Sequence, residues 1–130
     1  MKYENETLRE RRDALPAHQF FIIHTELAEP TDDVRAALEP LVTQHLDWVR
    51  DLEESGILFA AGPLVSADEP HSGAGMIVVR GTSKAEAEAL AATCPFHKAG
   101  VRKFTVRGWQ INEGSLNVTL RISNKSMLLG

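Results

Sequence analysis

The chain has 130 residues, 43% hydrophobic and 25% charged, which is ordinary globular usage and excludes disordered, collagen-like and coiled-coil classes. Its 14 basic and 18 acidic residues leave a formal charge of −4, opposite to the basic surplus of a phosphate-binding surface, so no nucleic-acid partner is expected. The one cysteine cannot form an internal disulfide, and the length suits one domain with its own core.

Residues 1–17 mix four basic with four acidic side chains and stop at Pro16. They read as a solvated N-terminal extension. They contain no apolar segment of the secretory kind, and no run in the chain approaches the ~20 apolar residues needed to span a bilayer. A cytoplasmic protein without membrane association is expected.

The first strand is expected at His18–Leu27, where Phe20 to Ile23 is an apolar run of aromatic and β-branched residues. Period two sets Phe20, Ile22 and His24 on one face, and Phe21, Ile23 and Thr25 on the other. A turn follows, with Thr31 or Asp32 as helix cap. Over 34–54, Val34, Leu38, Leu41, Val42, His45, Val49 and Leu52 recur at helical spacing. Pro40 interrupts that pattern, predicting a kink or a short helix before the main one. Gly56 is the expected stop.

The second strand is expected over 57–66, with Gly62-Pro63 marking a bulge or an edge. A polar loop leads to a third strand over 74–80. Lys84–Ala92 reads as a helix capped by Ser83, with Glu86 placed for a capping box. Thr93-Cys94-Pro95-Phe96 ends it. A fourth strand is expected over 101–111, and residues 116–123 alternate strictly as a fifth.

The order β-α-β-β-α-β predicts an α+β ferredoxin-like domain over 18–112, with an additional C-terminal strand and an apolar tail over 113–130. Both helices then cover one sheet face. The bare second face, with Phe20 and Ile22, calls for a second copy, so a homodimer or higher homo-oligomer is expected. Residues 113–130 read as part of that interface.

His45 lies inside the apolar stripe of its helix. It is either a core histidine satisfied by a backbone carbonyl or a general acid/base tuned by burial. Cys94, at the C-terminal end of the second helix, meets a dipole that disfavours a thiolate, so the residues alone favour an inert buried thiol. His97 follows three residues on, and His24 sits on the first strand. The spacing fits no structural zinc site and no nucleotide-binding loop, so no metal and no cofactor are expected. A pocket near His45, Cys94 and Ala61-Gly62-Pro63 is expected to hold a small molecule, lined further by His24, Phe96, His97 and Trp109.

Three blocks carry a resemblance: Gln44-His45-Leu46 running to Leu52 and Gly56, then Leu58 to Ala61-Gly62-Pro63, then Cys94-Pro95-Phe96 followed by Ala99-Gly100-Val101. In this order and spacing they resemble the YciI (YCII-related) family over roughly 20–111. The resemblance implies a dimeric α+β barrel of ferredoxin-like halves. It also implies a site made of the helix histidine, matched by His45, and the aspartate of an Asp-Pro-Phe block. Cys94 stands where that aspartate is usual. Either the acid–base pair is lost, or a Cys–His pair replaces it, or His97 compensates. Relatives act on chlorinated or hydroxylated rings as dehydrochlorinases or isomerase-like enzymes. By resemblance, His45 is then a general acid/base toward a small cyclic or carbonyl compound. A non-catalytic binding or sensing protein and an oligomeric accessory domain are the other readings.

Overall fold

The computed structural model describes residues 7, 18–81 and 83–129. The expected N-terminal extension therefore lies outside the described residues apart from Thr7. The elements run β1 (His18–Leu27), α1 (Val34–Leu38), a 3-10 turn (Glu39–Leu41), α2 (Val42–Glu54), β2 (Leu58–Pro63) and β3 (Gly75–Arg80). They continue with α3 (Lys84–Ala92), α4 (Pro95–Lys98), β4 (Arg102–Ile111), β5 (Val118–Arg121) and β6 (Ser126–Leu129).

Four strands form one sheet in the order β2-β3-β1-β4, the ferredoxin-like arrangement. β1 and β2 each run antiparallel to β3. The β1–β3 register sets Phe21 opposite Val79 and Ile23 opposite Ile77. A slip of one residue would turn every one of these side chains to the other face, so burial of one face fixes the register.

That buried face carries Phe21, Ile23, Ile77, Val79 and Val106, packed with Ala87 and Ala91 of α3. The two alanines bring the α3 backbone close to the sheet. The other face carries Phe20, Ile22 and His24. There the Phe20 and Phe59 rings lie 4.7 Å apart, and the Arg80 guanidinium sits 5.6 Å from the Phe59 ring centre.

Several local expectations change. The cap of α1 is Asp33 rather than Thr31 or Asp32: its Oδ1 accepts the Ala36 N–H at 3.1 Å, while Thr31 Oγ1 accepts the Asp33 N–H. The helix nonetheless begins at Val34, where the pattern places it. Pro40 produces the 3-10 turn between α1 and α2, because it has no N–H to continue the helical ladder. Gly56 does stop α2, at φ +80°, a region where only glycine is unstrained.

β2 is an edge strand, which tolerates Pro63 at its end. The bulge, however, falls between Leu58 and Ala60 rather than at Gly62-Pro63. Gly75 pairs with Pro63, and a Cβ on Gly75 would come 3.1 Å from the Gly62 carbonyl oxygen. The missing side chain lets the Gly62-Pro63 wall close in.

After α3 the chain does not simply end a helix. It makes the extra short helix α4, entered at Cys94-Pro95, whose Lys98 N–H donates to the Cys94 carbonyl. From Ile111 on, a separate unit contains β5 and β6, paired antiparallel as a two-stranded sheet. The expected added strand is therefore half of a hairpin, and β6 lies in what read as a tail. Among the described residues, no helix is long and apolar enough to cross a membrane.

Candidate functional site

The 3.6-residue period of α2 brings Val42, His45, Leu46 and Val49 to one stripe. That stripe walls a cleft of about 350 Å³. Thr25 of β1, Ala61-Gly62-Pro63 of β2, Ile77 of β3, Phe96 of α4 and Arg102 of β4 complete it. A larger cleft, about 640 Å³, shares Leu38, Val42, Pro63 and Arg102 as walls.

His45 is half-buried in this wall. Its ring lies 4.7 Å from the Phe96 ring and 6.0 Å from that of Trp48. Trp48 is in turn pinned by its indole N–H, which donates to Thr93 Oγ1 at 2.9 Å. His45 Nδ1 lies 3.4 Å from Cys94 Sγ. That contact occupies Nδ1 and leaves Nε2 without a protein partner among the described residues. Burial, followed by the charge of Arg102 and then the proximity of a second titratable imidazole, His97, lowers the His45 pKa to about 4. The imidazole is therefore neutral at pH 7, and a weak base.

Cys94 is fully buried. The sequence places it at a helix C-terminus; the structure places it at the N-cap of α4. There the backbone N–H groups of His97 and Phe96 lie near enough to favour a charged sulfur, without making a side-chain cap hydrogen bond. Burial outweighs them and pushes the thiol up from its ordinary value. A neutral thiol beside a neutral imidazole is a hydrogen-bonded pair, not an ion pair.

The tautomer of His97 follows from its neighbours. Nδ1 lies 2.7 Å from the Ala91 carbonyl, which can only accept, so Nδ1–H donates. Nε2 then accepts from the Thr25 hydroxyl at 2.8 Å. Burial, the largest cause, lowers the His97 pKa and keeps the ring neutral, as this arrangement requires. His97 thus fixes the hydroxyl of Thr25, a residue that is 2% exposed and lines the cleft.

Arg102 completes the site. Its guanidinium carbon lies 4.6 Å from the Phe96 ring centre. Its Nε is buried with no hydrogen-bond partner. Burial lowers its pKa, and the neighbouring Cys94 raises it.

Of the residues singled out in the sequence, His45, Cys94 and Phe96 come together, and Gly62 and Pro63 face them across the cleft. His97 joins through Thr25. His24 and Trp109 do not line this cleft. Strand alternation turns His24 to the face opposite Ile23 and Thr25, and Trp109 lies 6.4 Å from Phe20 on that same face. Sequence reasoning missed Thr25 and Arg102. A threonine in a strand and an arginine at a strand start are common, and only the tertiary placement distinguishes these two. Among the described residues, no group of three or more His, Cys, Asp and Glu converges to hold a metal ion.

A family model described as the YCII-related domain matches residues 19–110. No curated protein matches the chain. Among solved structures, the fold is similar to that of 5-chloro-2-hydroxyhydroquinone dehydrochlorinase (TftG) from Burkholderia phenoliruptrix AC1100, in complex with 2,5-dihydroxybenzoquinone. The TM-score is 0.56 at 19% sequence identity, over 69% of this chain and 92% of that one. At that identity the likeness is one of fold.

Proposed function

The chain belongs to the YCII-related domain family, and from that premise we propose that it is a small-molecule enzyme whose substrate, a small cyclic or carbonyl compound, binds in the 350 Å³ cleft against His45. The reaction is acid–base chemistry of the lyase, isomerase or dehydrochlorinase kind, run without a cofactor. His45 Nε2 takes and returns the proton. The observation that carries this reading is His45 itself: one ring nitrogen engaged by Cys94, the other free, on the wall of an otherwise mostly apolar cleft.

The weakness of His45 as a base narrows the chemistry. A neutral imidazole with a pKa of about 4 removes only a proton that is already acidified, such as one beside a carbonyl or on a hydroxylated ring. The ligand held by TftG, a dihydroxybenzoquinone, is a flat oxygenated ring of that character. Thr25, oriented by His97, supplies a hydroxyl oxygen that accepts a hydrogen bond from such a substrate.

A second reading, ligand binding or sensing without turnover, is favoured by one observation. Cys94 is a buried neutral thiol where the resembling family places an aspartate, and it lends an imidazolium little stabilisation. We also propose that a second copy covers the sheet face of Phe20, Phe59 and Trp109.

The test is a panel of hydroxylated and chlorinated cyclic compounds and small carbonyl compounds. It is screened by thermal shift and then for turnover, with His45→Ala alongside. At least one class is expected to stabilise and be turned over by the wild type, with turnover lost in His45→Ala. Stabilisation without turnover at any pH leaves the binding reading in its place, and no stabilising compound removes both.

A further inference from the structure

Among the described residues Arg102 is the one arginine or lysine that lines both clefts, and none of them gives it a counter-charge. Among the described residues it makes no salt bridge and no hydrogen bond, and its Nε is sealed off unsatisfied. Arginine is rarely buried without a partner, because a half-desolvated charge costs free energy that a carboxylate or a set of acceptors ordinarily offsets. The Phe96 ring offsets a part through its quadrupole. The other polar neighbours in the smaller cleft are neutral: the His45 imidazole and the Thr25 hydroxyl. Among the described residues the one carboxylate lining the larger cleft is that of Glu39, which is exposed and forms no ion pair with Arg102. Arg35 and His71 stand on the same wall.

We propose that Arg102 makes this an anion site: the cleft binds a small planar molecule carrying one charged oxygen, a carboxylate or a phenolate, that pairs with the guanidinium while its ring reaches His45. The proposal deepens the functional reading above and rests on it. Geometry supports it. Arg102 Cζ and the His45 ring lie 4.6 Å and 4.7 Å from the same Phe96 ring, which keeps them within about 9 Å of each other. A substituted six-membered ring is long enough to reach from one group to the other within that bound. The apolar body would lie along Val49, Ala61 and Ile77, leaving the charged oxygen for the terminal N–H groups of Arg102.

The experiment compares matched probes of one shape and different charge. Benzoate and benzamide, and 4-nitrophenolate and 4-nitroanisole, are titrated into the wild type, Arg102→Gln and Arg102→Lys. Binding is read from the ring resonances of His45 by NMR. In the wild type each anion is expected to bind at least ten-fold more tightly than its neutral match. The ratio falls to about one in Arg102→Gln and is partly kept in Arg102→Lys. Benzoate alone or the phenolate alone showing the preference names which oxygen chemistry the site takes. Equal binding of charged and neutral probes to the wild type overturns the anion inference while leaving the cleft a small-molecule site. Absence of any His45 response to all four probes overturns the cleft reading itself. The wild-type comparison decides between these even where a substitution at Arg102 impairs folding.

Discussion

Replacing Cys94 by aspartate changes the charge beside His45 while leaving the local backbone served. Asp is a preferred N-cap residue, and residue 94 is the N-cap of α4, although its present side chain makes no cap hydrogen bond. Because residue 94 is fully buried, Cys94→Asp is expected to melt below the wild type, and the titration is made where the variant is folded. Its carboxylate would lie about as far from His45 Nδ1 as the sulfur does, 3.4 Å. At an effective dielectric constant of ~20, two unit charges at that distance attract by about 5 kcal/mol. Because His45 is only half-buried, solvent screening reduces this to roughly half, or ~2 pKa units. The His45 pKa is then expected to rise from about 4 to near 6. A proton NMR titration of the imidazole C–H resonances measures it directly, with Cys94→Ser as the uncharged control. A His45 pKa in Cys94→Asp that stays within half a unit of the wild type would refute the reasoning. So would an equal rise in Cys94→Ser. The same variant separates the two functional readings, since turnover confined to Cys94→Asp marks the natural chain as a binding protein.

The remaining predictions concern stability, cleft shape and assembly. His45 has a folded pKa near 4 against an unfolded value of 6.5, so between those values the unfolded chain binds the extra proton. Its stabilising contribution is full above about pH 6.5 and is lost as pH falls toward 4; the full shift corresponds to ~3 kcal/mol, which screening at this half-buried group reduces to ~1.5. Urea melts across that range should show the loss, shared with His97, whose pKa is also lowered, and His45→Gln should reduce it; a pH dependence unchanged in His45→Gln would contradict the assignment. Gly75→Ala brings a Cβ to 3.1 Å of the Gly62 carbonyl oxygen, so it should cost ~1–2 kcal/mol and weaken ligand binding by pushing back the Pro63 wall. Wild-type stability and affinity in that variant, by melting and titration, would show that the wall is slack. Sedimentation should give the mass of two chains for the wild type and of one for Phe59→Lys; a single-chain mass for the wild type removes the argument for a covered second face.

How legible the molecule was in its sequence differs by element, for physical reasons. β1 and α3 could be bounded correctly because each has a strong local signal: an apolar β-branched run in one, a Ser83 cap and small apolar residues in the other. The break at Pro40 is likewise local, since a missing N–H is a property of one residue. α4 was not legible: four residues led by proline carry no periodicity. That omission showed Cys94 only as following the end of α3, when it also heads α4. β6 was hidden for a related reason, as Ser126–Leu129 is too short to show alternation and becomes a strand through pairing with β5.

The site divides in the same way. His45 was found because an imidazole on an apolar helical stripe is itself an anomaly. The face of His24 was correctly inferred by alternation with Phe20 and Ile22, and that face was read as the one the helices leave bare; placing His24 in the pocket did not follow from it, and the structure leaves His24 away from the cleft. Arg102 gives no signal in one dimension. Its importance lies in the lack of a paired carboxylate among the described residues, and only the assembled walls of the cleft show that.

The central claim is that small oxygenated rings bind at His45, between α2 and the buried face of the sheet. Its most direct test is titration of 2,5-dihydroxybenzoquinone, the ligand held by the structurally similar dehydrochlorinase, into isotope-labelled protein. Saturable shifts are predicted at the His45 ring, Phe96 and Thr25, with the His24 ring and the Trp109 indole unmoved. Shifts centred on His24 and Trp109, with His45 silent, would contradict it.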